Sequence, residues 1–444
     1  MTRTSDIIVI GAGIIGAATA YFAARAGLSV TVVERDLPAS GTTSRCEGNI
    51  LVSDKELGPE LELTNLSLGL WRGELAEFGH LWEFESKGGI IVASQESSLT
   101  SLERFSGSQR AFGIRTERLD PGELRAHEPH ITDRALGAAY YPDDSQVQPV
   151  LAASHLLRLA REAGAELVVR APVTAFLRAS SGGGSSLGGR STTAGGGRII
   201  GVRTPQGDFQ ADAVVNATGT WAGGIGELAG VEVPVLPRRG FVLVTERLPR
   251  MVHHKVYAAE YVDNVGSSDA GLQASPVVEG TPAGTILIGS SRERVGFDGS
   301  VSTAALRSIA RNAVALFPFL ERTRILRHYH GFRPYCPDHL PVIGPDPRAP
   351  GLWHAAGHEG AGIGLAAGTG KLLAQALSGA ETSISLAPFR PERFDSAGSD
   401  SGVAGAGAVT GTAGETGIDI DIDIDTDTDT DTDTTMGTER TTRA

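Results

Sequence analysis

Residues 6–36, DIIVIGAGIIGAATAYFAARAGLSVTVVERD, constrain the fold more than any other stretch of the chain. An apolar strand over 7–10 runs into Gly11, Gly13 and Gly16, a helix of small residues follows, and a second strand ends on Glu34. Each part has a mechanical reason. Gly11 permits a tight turn, Gly13 lets the backbone approach a pyrophosphate, and Gly16 lets the helix pack closely on the strand. The helix start, with Ile14 and Ile15, offers unpaired N–H groups to phosphate oxygens. Glu34 can accept hydrogen bonds from a ribose diol, and its charge repels a 2′-phosphate. Strand, turn, helix and acid together predict a Rossmann-like dinucleotide-binding unit.

A chain of 444 residues, 41% hydrophobic, is long enough for two or three domains. Its longest apolar runs are strand-length and broken by glycine, so no transmembrane segment is expected. The N-terminus enters the first strand at once, without a basic stretch and cleavable apolar core, which makes a cytoplasmic protein the expectation. Two cysteines, Cys46 and Cys336, cannot supply a disulfide framework, a zinc site or an iron–sulfur cluster, so no metal is expected. Residues 396–444 hold eleven acids against two arginines, leaving the remainder with only −4 of the −13 net charge. That remainder shows no basic stripe for nucleic acid.

Two segments read as outside the fold. Residues 180–197, SSGGGSSLGGRSTTAGGG, form a flexible glycine- and serine-rich insertion between strands expected at 173–177 and 198–203. The tail at 396–444 contains eight aspartates between Asp419 and Asp433; mutual repulsion and lack of anything to bury predict disorder. Elsewhere strand and helix alternate: a helix at 150–163, strands at 166–169, 213–217 and 352–356. Residues 88–144 and 226–325 carry strand signals at 89–93, 241–245 and 285–288 and one helix at 303–317. The whole predicts an α/β fold, in which a discontinuous dinucleotide-binding domain (1–87, 145–225 and 326–395) receives an inserted, sheet-rich α+β substrate domain (88–144 and 226–325).

Further glycine signatures follow. NATGTW (216–221) comes directly after an apolar strand, and the small residues around Gly219 allow backbone to approach a cofactor. HGFRPYCPDHLPVIGP (330–345) precedes GHEGAGIGL (357–365), a glycine-rich helix start whose positive end suits the N1–C2=O edge of a reduced isoalloxazine.

With GTTSRCEGN (41–49), these motifs resemble the D-amino-acid oxidase-like FAD-dependent oxidoreductases, in particular the glycine and sarcosine oxidase branch. GFVLVTERLPRM (240–251) and ILIGSSRERVGFD (286–298) are further similar to the flavin-bearing beta subunits of D-hydroxyproline dehydrogenase, opine oxidase and hydrogen cyanide synthase. The resemblance implies that Gly11, Gly13, Ile14, Ile15, Gly16, Glu34 and Arg35 hold the adenosine half of FAD, with the Val173 main chain against the adenine. Thr42, Thr43 and the backbone of Glu47, Gly48 and Asn49 lie along the flavin, and Gly357, His358, Gly360, Gly362, Ile363 and Gly364 cover its pyrimidine edge. Arg333 matches the arginine of a G-[LF]-R-P motif that grips the substrate carboxylate, a role suited to a planar, bidentate guanidinium. The implied reaction is oxidation of a small amino or imino acid by hydride transfer from the α-carbon to flavin N5.

The chain departs from the pattern at two places. Gly360 stands where glycine oxidases carry a substrate-contacting arginine, and the family's C-Y-x-x-P strand is replaced around 272–276. Tyr257, Tyr261, His253 and His254 are candidates to take over substrate contacts. Cys46 falls near the expected flavin as a buried thiol, and Cys336 lacks the spacing of a flavin-tethering cysteine, so non-covalent FAD is expected. Two alternatives stay open: a beta subunit passing electrons to partner subunits, and a FAD-binding scaffold without turnover. Deleting residues 398–444 is expected to leave FAD content and Tm nearly unchanged, because the acidic tail buries little. A fall of Tm by several degrees would contradict that expectation.

Overall fold

The computed structural model describes residues 3–179, 197–260 and 267–395. The glycine- and serine-rich insertion (all but Gly197), Tyr261 and the acidic tail lie outside the described residues. Two eight-stranded sheets carry the fold. The strand Arg3–Ile10 sits centrally in the first, paired in parallel with Val30–Val33 on one side and Gly207–Asn216 on the other. Glu166–Val168 and Leu352–Ala356 extend it in parallel, and Val342–Pro345 closes one edge antiparallel. A central parallel strand is covered on both faces, which is why residues 7–10 are uniformly apolar and buried. The strands Ala175–Arg178 and Ile199–Thr204 flank the insertion as an antiparallel pair attached to Gly207–Asn216.

The helix Ile14–Arg25 is buried along eleven of its twelve residues, so it needs no polar stripe. Small residues let it meet the helix Gly362–Leu377 at backbone distance: a Cβ on Gly370 would stand 2.6 Å from the Ala18 carbonyl carbon. The helix Pro149–Glu162 buries Ala152, Ala153, Leu156, Leu157 and Ala160 at helical spacing. Its start is capped by the Gln148 side chain, which accepts from the Leu151 N–H at 2.8 Å.

The second sheet runs in the order Ile325–Tyr335, Leu236–Thr245, Ile286–Arg292, Gln273–Gly280, Lys255–Ala258, Gly89–Ala93, Gly137–Tyr141, Glu117–Leu119. It is antiparallel except where Lys255–Ala258 meets Gly89–Ala93. The helix Thr303–Leu316 packs its Ala305, Ile309 and Ala313 into the core under this sheet. Ile325–Tyr335, the strand that carries Arg333, is hydrogen-bonded along its length to Leu236–Thr245. The C-terminal segment therefore contributes to both sheets. Among the described residues no helix is long and apolar enough to cross a membrane.

Candidate active site

Where the first sheet meets the second, a cavity of about 1100 Å³ runs from Glu34 and Arg35, past Gly11 and Gly13, to His358 and Arg333. This exceeds ordinary small-ligand pockets, roughly 300–1000 Å³, and an elongated dinucleotide needs such a volume. At one end Gly11 turns with φ +104°, its N–H donating to the Val33 carbonyl at 2.8 Å. A Cβ on Gly11 would lie 2.7 Å from the Ala217 carbonyl oxygen, and one on Gly16 would collide with the Gly11 carbonyl. Gly13 is different: only Thr43 Oγ1, 3.2 Å away, comes near a Cβ there, so its outer side faces the cavity. Thr43 Oγ1 also accepts the Ile14 N–H at 3.0 Å. The Glu34 carboxylate accepts from the Ala12 N–H at 2.7 Å and the Asp36 N–H at 2.9 Å, which fixes it at the cavity edge with lone pairs left for a diol. These features fit the adenosine and pyrophosphate portions of FAD.

Gly11, Gly13, Ile14, Ile15, Glu34, Arg35, Thr42, Thr43, Glu47, Gly48, Asn49, Val173, Gly219, Arg333, His358, Gly360, Gly362 and Ile363 all line this one cavity. Gly16, Gly357 and Gly364 are not on its wall. Gly16 underlies the Gly11 turn, Gly357 (φ +77°) packs near Val235 and Cys336, and Gly364 faces the backbone of Asn49 and Ile50. Arg35 lies over Trp221, 3.8 Å from the ring centroid, and Trp221 stacks on Phe297 at 5.7 Å. Sequence reasoning singled out neither Phe297 nor a stacking role for Trp221; the only local signal is the tryptophan that ends NATGTW.

At the other end the Arg333 side chain crosses the strand Leu236–Thr245 where Gly240 leaves room, since a Cβ there would collide with Nη1. Nη1 donates to the Ser291 carbonyl at 2.8 Å. A Cβ on Gly360 would stand 3.9 Å from Arg333 Nε, so the glycine keeps this flank of the guanidinium open. Burial pushes His358 down to about 3, and its Nε2 meets Thr369 Oγ1 at 3.0 Å, so the imidazole is neutral. Burial, followed by the neighbouring Glu47, pushes the Cys46 thiol up to about 12; its Sγ donates to the Thr43 carbonyl at 3.1 Å. Cys336 is likewise pushed up to about 12, chiefly by burial, and does not line the cavity. Both are thiols rather than thiolates.

Behind the cavity, Asp144 accepts from the Val52 N–H at 2.8 Å and from the Ser53 hydroxyl, which also meets Tyr257. Burial raises Asp144 to about 7 despite these donors. Tyr257 is thus held in an internal network and does not line the cavity. His253 and His254 turn their N–H groups to the buried Glu128 at 2.9 and 2.6 Å and do not line it either. Lys255 is fully buried, paired with Glu279 at 2.8 Å, and also donates to the Asn49 side chain. It anchors one segment of the cavity wall, and a lone lysine in an apolar strand was its only sequence signal. No cluster of His, Cys, Asp and Glu suited to a metal ion occurs among the described residues.

A protein family described as FAD dependent oxidoreductase matches residues 6–376. The chain is 29% identical to hydrogen cyanide synthase subunit HcnC of Pseudomonas aeruginosa, over 89% of this chain and 97% of that one. It is 30% identical to a glycine oxidase of the same organism, over 87% of this chain and 98% of the other. The crystal structure of L-proline dehydrogenase from P. horikoshii superimposes with a TM-score of 0.78 at 25% identity, covering 89% of this chain and 99% of that one.

Proposed function

From the premise that the chain belongs to the FAD dependent oxidoreductase family, we propose that it oxidises the C–N bond of a small α-amino or imino acid. The observation that carries this reading is the Arg333 guanidinium at the far end of the fingerprint-bounded cavity, with an open flank at Gly360. The likeness to a glycine oxidase and to an L-proline dehydrogenase supports the substrate class. FAD, when bound, supplies the hydride acceptor. The protein's own part is positional. Arg333 grips the substrate carboxylate and fixes the α-carbon, the apolar walls exclude water, and the start of Gly362–Leu377 turns its positive end to the site. Neutral His358 adds no competing charge. An imine leaving such a site hydrolyses in water without help from a side chain, so no acid–base pair is needed.

The cofactor is held without a covalent link in this proposal, because Cys46 remains a protonated thiol and the Nε2 of His358 is engaged by Thr369. Acid or heat precipitation should release FAD into the supernatant. Flavin retained in the washed pellet would contradict this. Mixing the yellow protein anaerobically with a panel of amino and imino acids tests the function itself; bleaching by at least one is expected, and none across the panel would reject it. We place the enzyme in the cytoplasm.

The likeness to a protein named as a subunit supports a second reading, a flavin-bearing beta subunit that hands electrons to partner subunits. Rapid reduction of an artificial dye with slow oxygen consumption would favour it over an oxidase.

A further inference from the structure

Three neighbouring strands of the second sheet each present a glycine beneath a charged side chain. Gly331, on Ile325–Tyr335, would collide with Arg45 if it carried a Cβ; Gly240, on Leu236–Thr245, with Arg333; and Gly289, on Ile286–Arg292, with the Glu47 carboxylate. Arg45 is exposed, whereas Glu47 is only 7% exposed. The series therefore runs from a cation at the rim to an anion at depth, with Arg333 between them. Among the described residues no donor reaches the buried Glu47 Oε1. The nearby lysines are committed elsewhere, Lys255 to Glu279 at 2.8 Å and Lys87 to Glu85 at 3.1 Å. Glu47 lines the cavity, and its carboxylate, with Oε1 closed off against Gly289, accepts no hydrogen bond from a described residue, which costs free energy unless a ligand supplies a donor to its other oxygen.

We infer that Glu47 is the specificity residue for nitrogen: its carboxylate accepts the N–H of the substrate's α-amino or imino group while Arg333 holds the carboxylate. The spacing suits this. Arg333 bonds the Ser291 carbonyl, two residues along the strand from Gly289. The two head groups are therefore anchored two residues apart on the strand Ile286–Arg292, a short gap. A molecule with carboxylate and amine on one carbon bridges it with a hydrogen bond of about 2.8 Å at each end. A 2-alkoxy acid satisfies Arg333 but offers Glu47 no N–H or O–H donor, so the site selects amino and imino acids over their ether counterparts.

This inference rests on the proposed oxidation of amino or imino acids, and the test separates the two. Holoenzyme is titrated with glycine, sarcosine and proline, following anaerobic flavin reduction, and with methoxyacetate and tetrahydrofuran-2-carboxylate, following perturbation of the flavin spectrum. In Glu47→Gln the half-saturating concentration of the amines should rise about 10- to 100-fold, as expected for loss of a hydrogen bond to a charged group. The oxygen isosteres should shift less than about twofold. Gly289→Ala, which pushes the carboxylate out of place, should give the same selective loss and decides the matter if Glu47→Gln does not retain FAD. Unchanged amine binding, or equal weakening of both series, overturns the inference and leaves the proposed function standing. Failure of every amine to reduce the wild-type flavin removes both.

Discussion

Replacing Arg333 with alanine is expected to lower kcat/KM by about 30- to 1000-fold, equivalent to roughly 2–4 kcal/mol of transition-state stabilisation. The effect is large because the guanidinium is held before the substrate arrives. Its Nη1 is fixed to the Ser291 carbonyl at 2.8 Å, and Gly240 provides the groove in which it lies, so little ordering remains to be done on binding. Arg333→Lys should recover only part of the loss, since an ammonium cannot reproduce the planar fork. FAD content should remain normal in both variants, because the proposed adenosine and pyrophosphate contacts line the other end of the cavity. An alanine variant that reduces its flavin at the wild-type rate with an amino or imino acid would move the carboxylate anchor elsewhere.

Gly13→Val and Gly16→Val are expected to abolish FAD binding by different routes. Gly13 opens on the cavity, with only Thr43 Oγ1 nearby at 3.2 Å, so valine there fills the space a pyrophosphate needs while the apo fold survives. Its circular dichroism should match that of wild-type apoprotein, with Tm lowered by the loss of bound-ligand stabilisation. Gly16 has no such space. A Cβ there meets the backbone carbonyl of Gly11, which cannot move without breaking the turn, so this variant should lose structure as well as cofactor. Stoichiometric FAD in Gly13→Val would take the fingerprint out of the binding site.

Several features were legible because they are local. The fingerprint is one unbroken strand–turn–helix–strand, in which glycine spacing and apolar runs act over a few residues. The expected strand at 7–10 ends the observed Arg3–Ile10, and the helix at 150–163 coincides with Pro149–Glu162 to within a residue at each end. The pair flanking the glycine- and serine-rich insertion is likewise observed, since a hairpin brings together segments already close in the chain. The α/β class and the cofactor class follow from these short-range patterns.

Tertiary structure decided which distant segments meet. Arg333 was legible as a motif residue, but its strand pairs with Leu236–Thr245, nearly a hundred residues earlier, and only that register puts the guanidinium over Gly240. Tyr257, a candidate for substrate contact from the sequence, is instead tied to Ser53 beside Asp144, while Glu47, read for its backbone alone, carries its carboxylate to Gly289. Periodicity says which face of a strand is buried but not which strand lies beside it, so the sequence by itself determined the dinucleotide unit and its chemistry. The side chains proposed to meet a substrate were brought together by sheet order and register, which depend on the packing of the whole chain.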